Sequence, residues 1–262
     1  MTATARYELR MMLRKRSMWI TMGVIAVLLC LISFDQFRDF LRDRDARLVM
    51  GEWALLVNLF VPVGYGCLLA DRLVRDRRLG VAPILDATPS SSLGRLLGKY
   101  LGVCAATAVP VAAIYFAFVL LYAAVTGRYA ALGWALAAFA LVLAPAVLFV
   151  GAFALAVPLL IPAPLFRVLF VAYWFWGNGI SPTVVPTLAQ TLVTPIGNYP
   201  LDVMFGYRGD DGTPTGPEPG AALNALRPEG TPTTAWLSIA LLLAIAALVL
   251  GAVQASRARA NR

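Results

Sequence analysis

Histidine is absent from the chain. That excludes imidazole general bases, Ser-His-Asp triads and histidine-ligated metal sites together. Cysteine is scarce: Cys30, Cys67 and Cys104 stand far apart, each inside an apolar run. No CxxC or other metal-ligand spacing results, and the three read as buried, unpaired thiols acting as small apolar residues. Charge is sparse as well, at 14% of residues against roughly 25% in soluble domains. The long apolar runs hold almost no Asp or Glu, so they offer no carboxylate pair for acid–base work. No GxxxxGK[ST] phosphate loop occurs; Gly94 to Lys99 supplies Gly and Lys at the wrong spacing. An active site would have to be built from Ser and Tyr alone, and no catalytic or metal-ligating residue is assigned.

What is present is apolar sequence in blocks. Of 262 residues 60% are hydrophobic, and mean hydropathy is +0.76. Soluble domains run at about 45–50% apolar. The expected class is an all-α polytopic membrane protein forming one transmembrane domain over residues 1–262. A helix needs about 20 apolar residues to cross roughly 30 Å of hydrocarbon, and six spans are expected, at 17–34, 53–70, 99–125, 132–160, 165–180 and 235–253. The first run is longer than a signal-peptide core and lacks a small-x-small site before Asp35, so it reads as a retained span.

The net charge of +8 is a topology signal rather than a nucleic-acid one, because the arginines cluster at the ends of apolar runs. Arg6, Arg10, Arg14, Lys15 and Arg16 precede the first span, and Arg72, Arg75, Arg77, Arg78, Arg95 and Lys99 lie between the second and third. Together with Arg167, Arg257, Arg259 and Arg262 they put 15 of the 22 Lys and Arg on one side, predicting that both termini are cytoplasmic. Residues 1–16 read as an interfacial helix, with Arg6, Arg10 and Arg14 on one stripe and Leu9, Met12 and Leu13 on another. On the other side, Asp35/Arg38, Asp39/Arg42 and Asp43/Arg47 have helical spacing and suggest a short surface helix.

Residues 71–98 are a charged, turn-containing loop between two spans. The second span continues past Ala70, Gly80 terminates it, and Pro83 opens a short helix with Ile84 and Leu85 on its apolar side. Pro89 ends that helix, and Ser91 or Ser92 caps the next. Gly94, Gly98 and Gly102 then form a small-residue stripe that permits close helix approach. Residues 181–234 form a long outer segment. Val184 to Phe205 is apolar but broken by Pro186, Pro195 and Pro200, which suggests a pair of short re-entrant helices. Gly206 to Pro232 reads as an exposed loop.

At this point the chain resembles the membrane (permease) subunit of bacterial ATP-binding-cassette transporters of the six-span, type-2 exporter kind. The features are Arg6-Tyr7-Glu8-Leu9-Arg10 leading to Ser17-Met18-Trp19, the loop Arg75-Asp76-Arg77-Arg78-x-Gly80 followed by Leu85-x-x-Thr88-Pro89-Ser90 and Gly98-Lys99, and the long outer segment. The chain departs from the family pattern at Asp76, where Glu is common, at Val81, where Thr is common, and at Pro83, where an acidic residue is common.

The resemblance implies two permease copies, or two related permeases, paired in the bacterial plasma (inner) membrane among membrane lipid. Each docks a separate ABC-type ATPase subunit through the loop between spans two and three. This chain would bind no cofactor; ATP and Mg would sit on the partner. The resemblance makes 71–98 a coupling loop, with Arg75, Asp76, Arg77, Arg78, Gly80, Ile84, Leu85 and Pro89 contacting the ATPase. Asn58 and Asn178, polar at membrane depth, read either as interhelical hydrogen bonds or as part of a transport path; Trp174 and Trp176 read as an interface belt, or as a stacking surface on that path. The few charges in the spans suit an amphipathic or lipid-like substrate. The competing readings are a secondary transporter, which usually shows repeats and midplane charges, and an integral membrane enzyme or scaffold without an ATPase.

Overall fold

The computed structural model describes residues 2–40, 45–73, 91–208, 212 and 214–260. Every regular element among these residues is helical. Among the described residues four helices are long and apolar enough to cross a membrane: α4 (Ala46–Leu69), α5 (Ser92–Thr126), α6 (Ala130–Leu159) and α9 (Pro232–Ala260). The helices α1 (Thr2–Leu13) and α2 (Arg16–Ile32) meet at 62° and make a fifth candidate when counted as one bent span. α3 (Phe34–Phe40) contains the Asp35/Arg38 pair of the expected surface helix; residues 41–44 lie outside the described residues, and Arg47 belongs to α4. α7 (Ala163–Gly179) has 17 residues, about 25 Å at 1.5 Å per residue.

Helix ends explain where the spans begin and stop. α4 starts at Ala46 rather than Trp53, because the Asp45 side chain caps it by accepting from the Arg47 N–H at 3.1 Å. Hydropathy alone missed that turn, since Arg47 and Glu52 dilute it. Ser91 caps α5 by accepting from the Gly94 N–H at 3.1 Å, and Gly127 closes it in the left-handed conformation at φ 71°. α6 contains a π-helical turn at Phe139–Leu143 just before Pro145. A proline has no N–H for the preceding turn, and a wide turn accommodates that loss.

α4 is the central helix and packs against α2, α5, α6 and α7, and against α8 (Asn198–Phe205). α7 approaches closely at Gly66, where a Cβ would lie 2.3 Å from the Phe170 ring. α4 and α5 are clasped reciprocally: Trp53 Nε1 donates to the Tyr115 carbonyl at 3.2 Å, and Tyr115 Oη donates to the Met50 carbonyl at 3.1 Å. Each bond satisfies a polar group that would otherwise be stranded in an apolar core.

The segment between α7 and α9 corrects two expectations. Residues 181–205 hold one short helix, α8, rather than a pair. Pro200 lies in its first turn, where a missing N–H costs no helical bond, while Pro186 and Pro195 fall in the turns before it. The stretch expected as an exposed loop contains Arg227, which is fully buried. A third correction concerns the thiols: Cys104 is buried and Cys67 half-buried, but Cys30 is exposed. It sits on the outward side of α2 beside the exposed Val27 and Leu31, a face apolar enough for cysteine to stand there as one more small apolar residue.

Candidate functional site

At one end of the bundle three charged side chains are buried together. Glu8 of α1 reaches Lys99 of α5, with Oε1 3.5 Å from Nζ. Its other oxygen lies 3.9 Å from Arg72 Nη1, just past the end of α4. Relative exposures are 6% for Glu8, 3% for Arg72 and 8% for Lys99. α1 comes this close because α5 has a glycine beneath it: a Cβ at Gly102 would lie 2.5 Å from the Ala5 carbonyl oxygen and 2.9 Å from Glu8 Cβ. Met12 is buried on the same side of α1, while Arg6, Arg10 and Arg14 are exposed. The elbow into α2 is tied by Trp19 Nε1 donating to the Leu13 carbonyl at 2.8 Å.

A second tie holds the same end of α4. Arg167, near the start of α7, pairs with Asp71, and its Nε donates to the Cys67 carbonyl at 3.1 Å. Ser92 of α5 and Gln254 of α9 are in hydrogen-bonding contact at 3.2 Å. The N-terminal helix, the end of α9 and both flanks of the 74–90 segment therefore share one end of the bundle. The expected coupling residues Arg75, Asp76, Arg77, Arg78, Gly80, Ile84, Leu85 and Pro89 lie outside the described residues. Their two flanks are bridged by a single carboxylate, Glu8.

The residues assigned to a transport path do not form one surface. Asn58 is 2% exposed, and its amide donates to the carbonyls of Pro195 at 2.9 Å and Ile196 at 3.1 Å. It thereby pins the outer segment to α4. Pro62, one turn on, has no N–H for the Asn58 carbonyl, which loosens the helix at that point. Trp174 is fully buried and donates from Nε1 to the Leu59 carbonyl at 2.7 Å. Trp176 faces outward, at 38% exposure. Asn178 is half-buried and its amide donates to the Trp174 carbonyl at 2.8 Å.

At the opposite end from Glu8, two arginines organise the outer segment. Arg47 donates from Nε to the Met204 carbonyl at 2.7 Å and from Nη2 to the Val203 carbonyl at 3.2 Å. It satisfies the last turn of α8, where a cation also complements the helix dipole, and lies 5.4 Å from the Trp134 ring centroid. Arg227 donates to the carbonyls of Thr187 at 2.9 Å and of Ala189 at 3.2 and 3.0 Å, and also to that of Ala222. Burial lowers its pKa from the usual arginine value, and the charges of Glu218 and Tyr199 push it back up. Tyr199 donates to the Pro228 carbonyl at 2.7 Å, and burial pushes its phenol up to about 12 against the lowering effect of Arg227.

Neither Glu8 with Lys99 nor Arg227 with its carbonyls was assigned a structural role from sequence. Both join positions far apart along the chain, and only the unusual placement of single charges hints at them. No family model matches the chain, and no curated protein matches it.

Proposed function

We propose that the chain is the permease subunit of an ATP-driven exporter, worked by a separate ATPase subunit that docks on residues 71–98. The observation that carries this reading is the buried Glu8–Arg72–Lys99 cluster. A loop that transmits force must be anchored to the helices it moves, and this loop is anchored at both flanks to one N-terminal helix. The Asp71–Arg167 tie extends the anchorage to α7. The loop motif Arg75-Asp76-Arg77-Arg78-x-Gly80 and its similarity to the permease family add the second support.

In this reading α2 and α7 are also spans, giving six, with both termini cytoplasmic in a bacterial plasma membrane. α1 lies along the cytoplasmic interface, and its exposed Arg6, Arg10 and Arg14 meet anionic headgroups. Two permeases pair, and ATP-driven motion of the loops changes access to an amphipathic or lipid-like substrate. The segment 181–205 caps the path on the outer side.

The test is purification of the tagged chain from its native membranes in mild detergent. A near-stoichiometric soluble protein carrying a phosphate loop supports the reading. Recovery of the intact chain with no nucleotide-binding protein overturns it.

A further inference from the structure

Between the 181–218 segment, the middle of α4 and the end of α7 lies a cavity of about 380 Å³. One wall is apolar, made by Leu55, Leu56 and Leu59 of α4. Asn178 and Glu218 also line it, and each has a buried oxygen with no hydrogen-bond partner among the described residues: Asn178 Oδ1 and Glu218 Oε2. A buried acceptor left unpaired costs about 1–3 kcal/mol, and more when charged. Two of them in one cavity mark a place where a donor belongs.

Among the described residues the neighbouring groups do not supply that donor. The Asn178 amide nitrogen is committed to the Trp174 carbonyl. Arg227 is near enough for Glu218 to affect its pKa, but its guanidinium bonds go to backbone carbonyls. Asn224 latches the Glu218 backbone, accepting from its N–H at 3.2 Å and donating to its carbonyl at 2.7 Å. The backbone is thus fixed while the carboxylate keeps an open acceptor. An ammonium is the group that suits a carboxylate and an amide oxygen together: it has several donors, no acceptor, and the opposite charge.

We propose that this cavity binds an amphipathic amine, with its ammonium on Glu218 Oε2 and Asn178 Oδ1 and its alkyl chain along Leu55, Leu56 and Leu59. The site belongs to this chain alone, so it stands or falls independently of any ATPase partner.

The test uses the full chain in lipid nanodiscs with radiolabelled octylamine as probe and empty nanodiscs as reference. Saturable binding at one site per chain is expected, displaced by unlabelled octylamine and not by octanoate. Glu218→Gln keeps the shape and removes the charge, and should weaken binding at least tenfold. Asn178→Ala removes the second acceptor and should weaken it several-fold; it decides the matter if the Glu218 variant does not fold. Three results would overturn the proposal. The first is no saturable excess over empty discs, meaning that water satisfies the acceptors. The second is octanol competing as well as octylamine, meaning that the cavity selects only for apolar chains. The third is wild-type binding by the folded variants.

Discussion

Glu8 Oε1 lies 3.5 Å from Lys99 Nζ, in a pocket where both side chains are less than a tenth exposed. The contact joins the first helix of the chain to the start of the third apolar run, across the flank of the 74–90 segment. Removing one partner of a buried ion pair leaves an uncompensated charge in a poor solvent for it, which costs several kcal/mol. Glu8→Gln is expected to destabilise the chain by roughly 3 kcal/mol, the low end of that range. Thermal unfolding in detergent checks it, and an unchanged midpoint would show that the pair contributes nothing.

Gly102 makes that contact possible. A leucine there cannot coexist with α1 in its present place, because even a Cβ would lie 2.5 Å from the Ala5 carbonyl oxygen. Gly102→Leu is expected to lift α1 off α5 while leaving the bundle inserted. Cysteine labelling at position 12, which is buried in wild type, should rise from negligible to near complete.

Asn58 holds two carbonyls of the outer segment with one amide. Asn58→Leu strands both, at about 1–3 kcal/mol for each carbonyl left unpaired. The expected outcome is a lower unfolding midpoint and faster proteolysis between 181 and 197. A variant as resistant as wild type would mean that the pinning is carried elsewhere.

The raised Tyr199 phenol gives the outer segment a pH dependence. Burial pushes the Tyr199 phenol up to about 12 in the folded chain, against near 10 when unfolded. Its folded pKa is raised, so the neutral phenol favours the folded state. That contribution is complete below pH 10 and is lost as pH climbs from 10 to 12. In spectrophotometric titration, Tyr199→Phe should remove one phenolate signal near pH 12. Removal of one near pH 10 instead would mean that the Tyr199 hydroxyl is solvated.

Much of the bundle was legible in the sequence, for a plain reason. A run such as 99–125 has to be long and apolar to live in hydrocarbon, and Ser91 and Gly127 mark the ends of its helix by their own chemistry. Charged residues within reach of a helix end were less legible. Arg47 and Glu52 hid the first turns of α4, although Asp45 was there to cap it. The outer segment was read as broken helices and open loop because prolines and glycines report local backbone preference. They carry no information about Arg227, whose carbonyl partners come from two separate stretches, 187–189 and 222. The same limit applies to the assigned path residues. Asn58, Trp174 and Trp176 were grouped by polarity and aromaticity, whereas helix register turns Trp174 inward and Trp176 outward.

We propose that a nucleotide-hydrolysing partner docks on residues 71–98. The most direct measurement is the ratio of nucleotide-binding protein to tagged chain recovered from native membranes, for wild type and for Asp76→Ala/Arg77→Ala. A ratio near one is expected for wild type, with loss of the partner from a double variant that still inserts and accumulates normally. Full retention of the partner by the double variant, or no such partner with wild type, would contradict it.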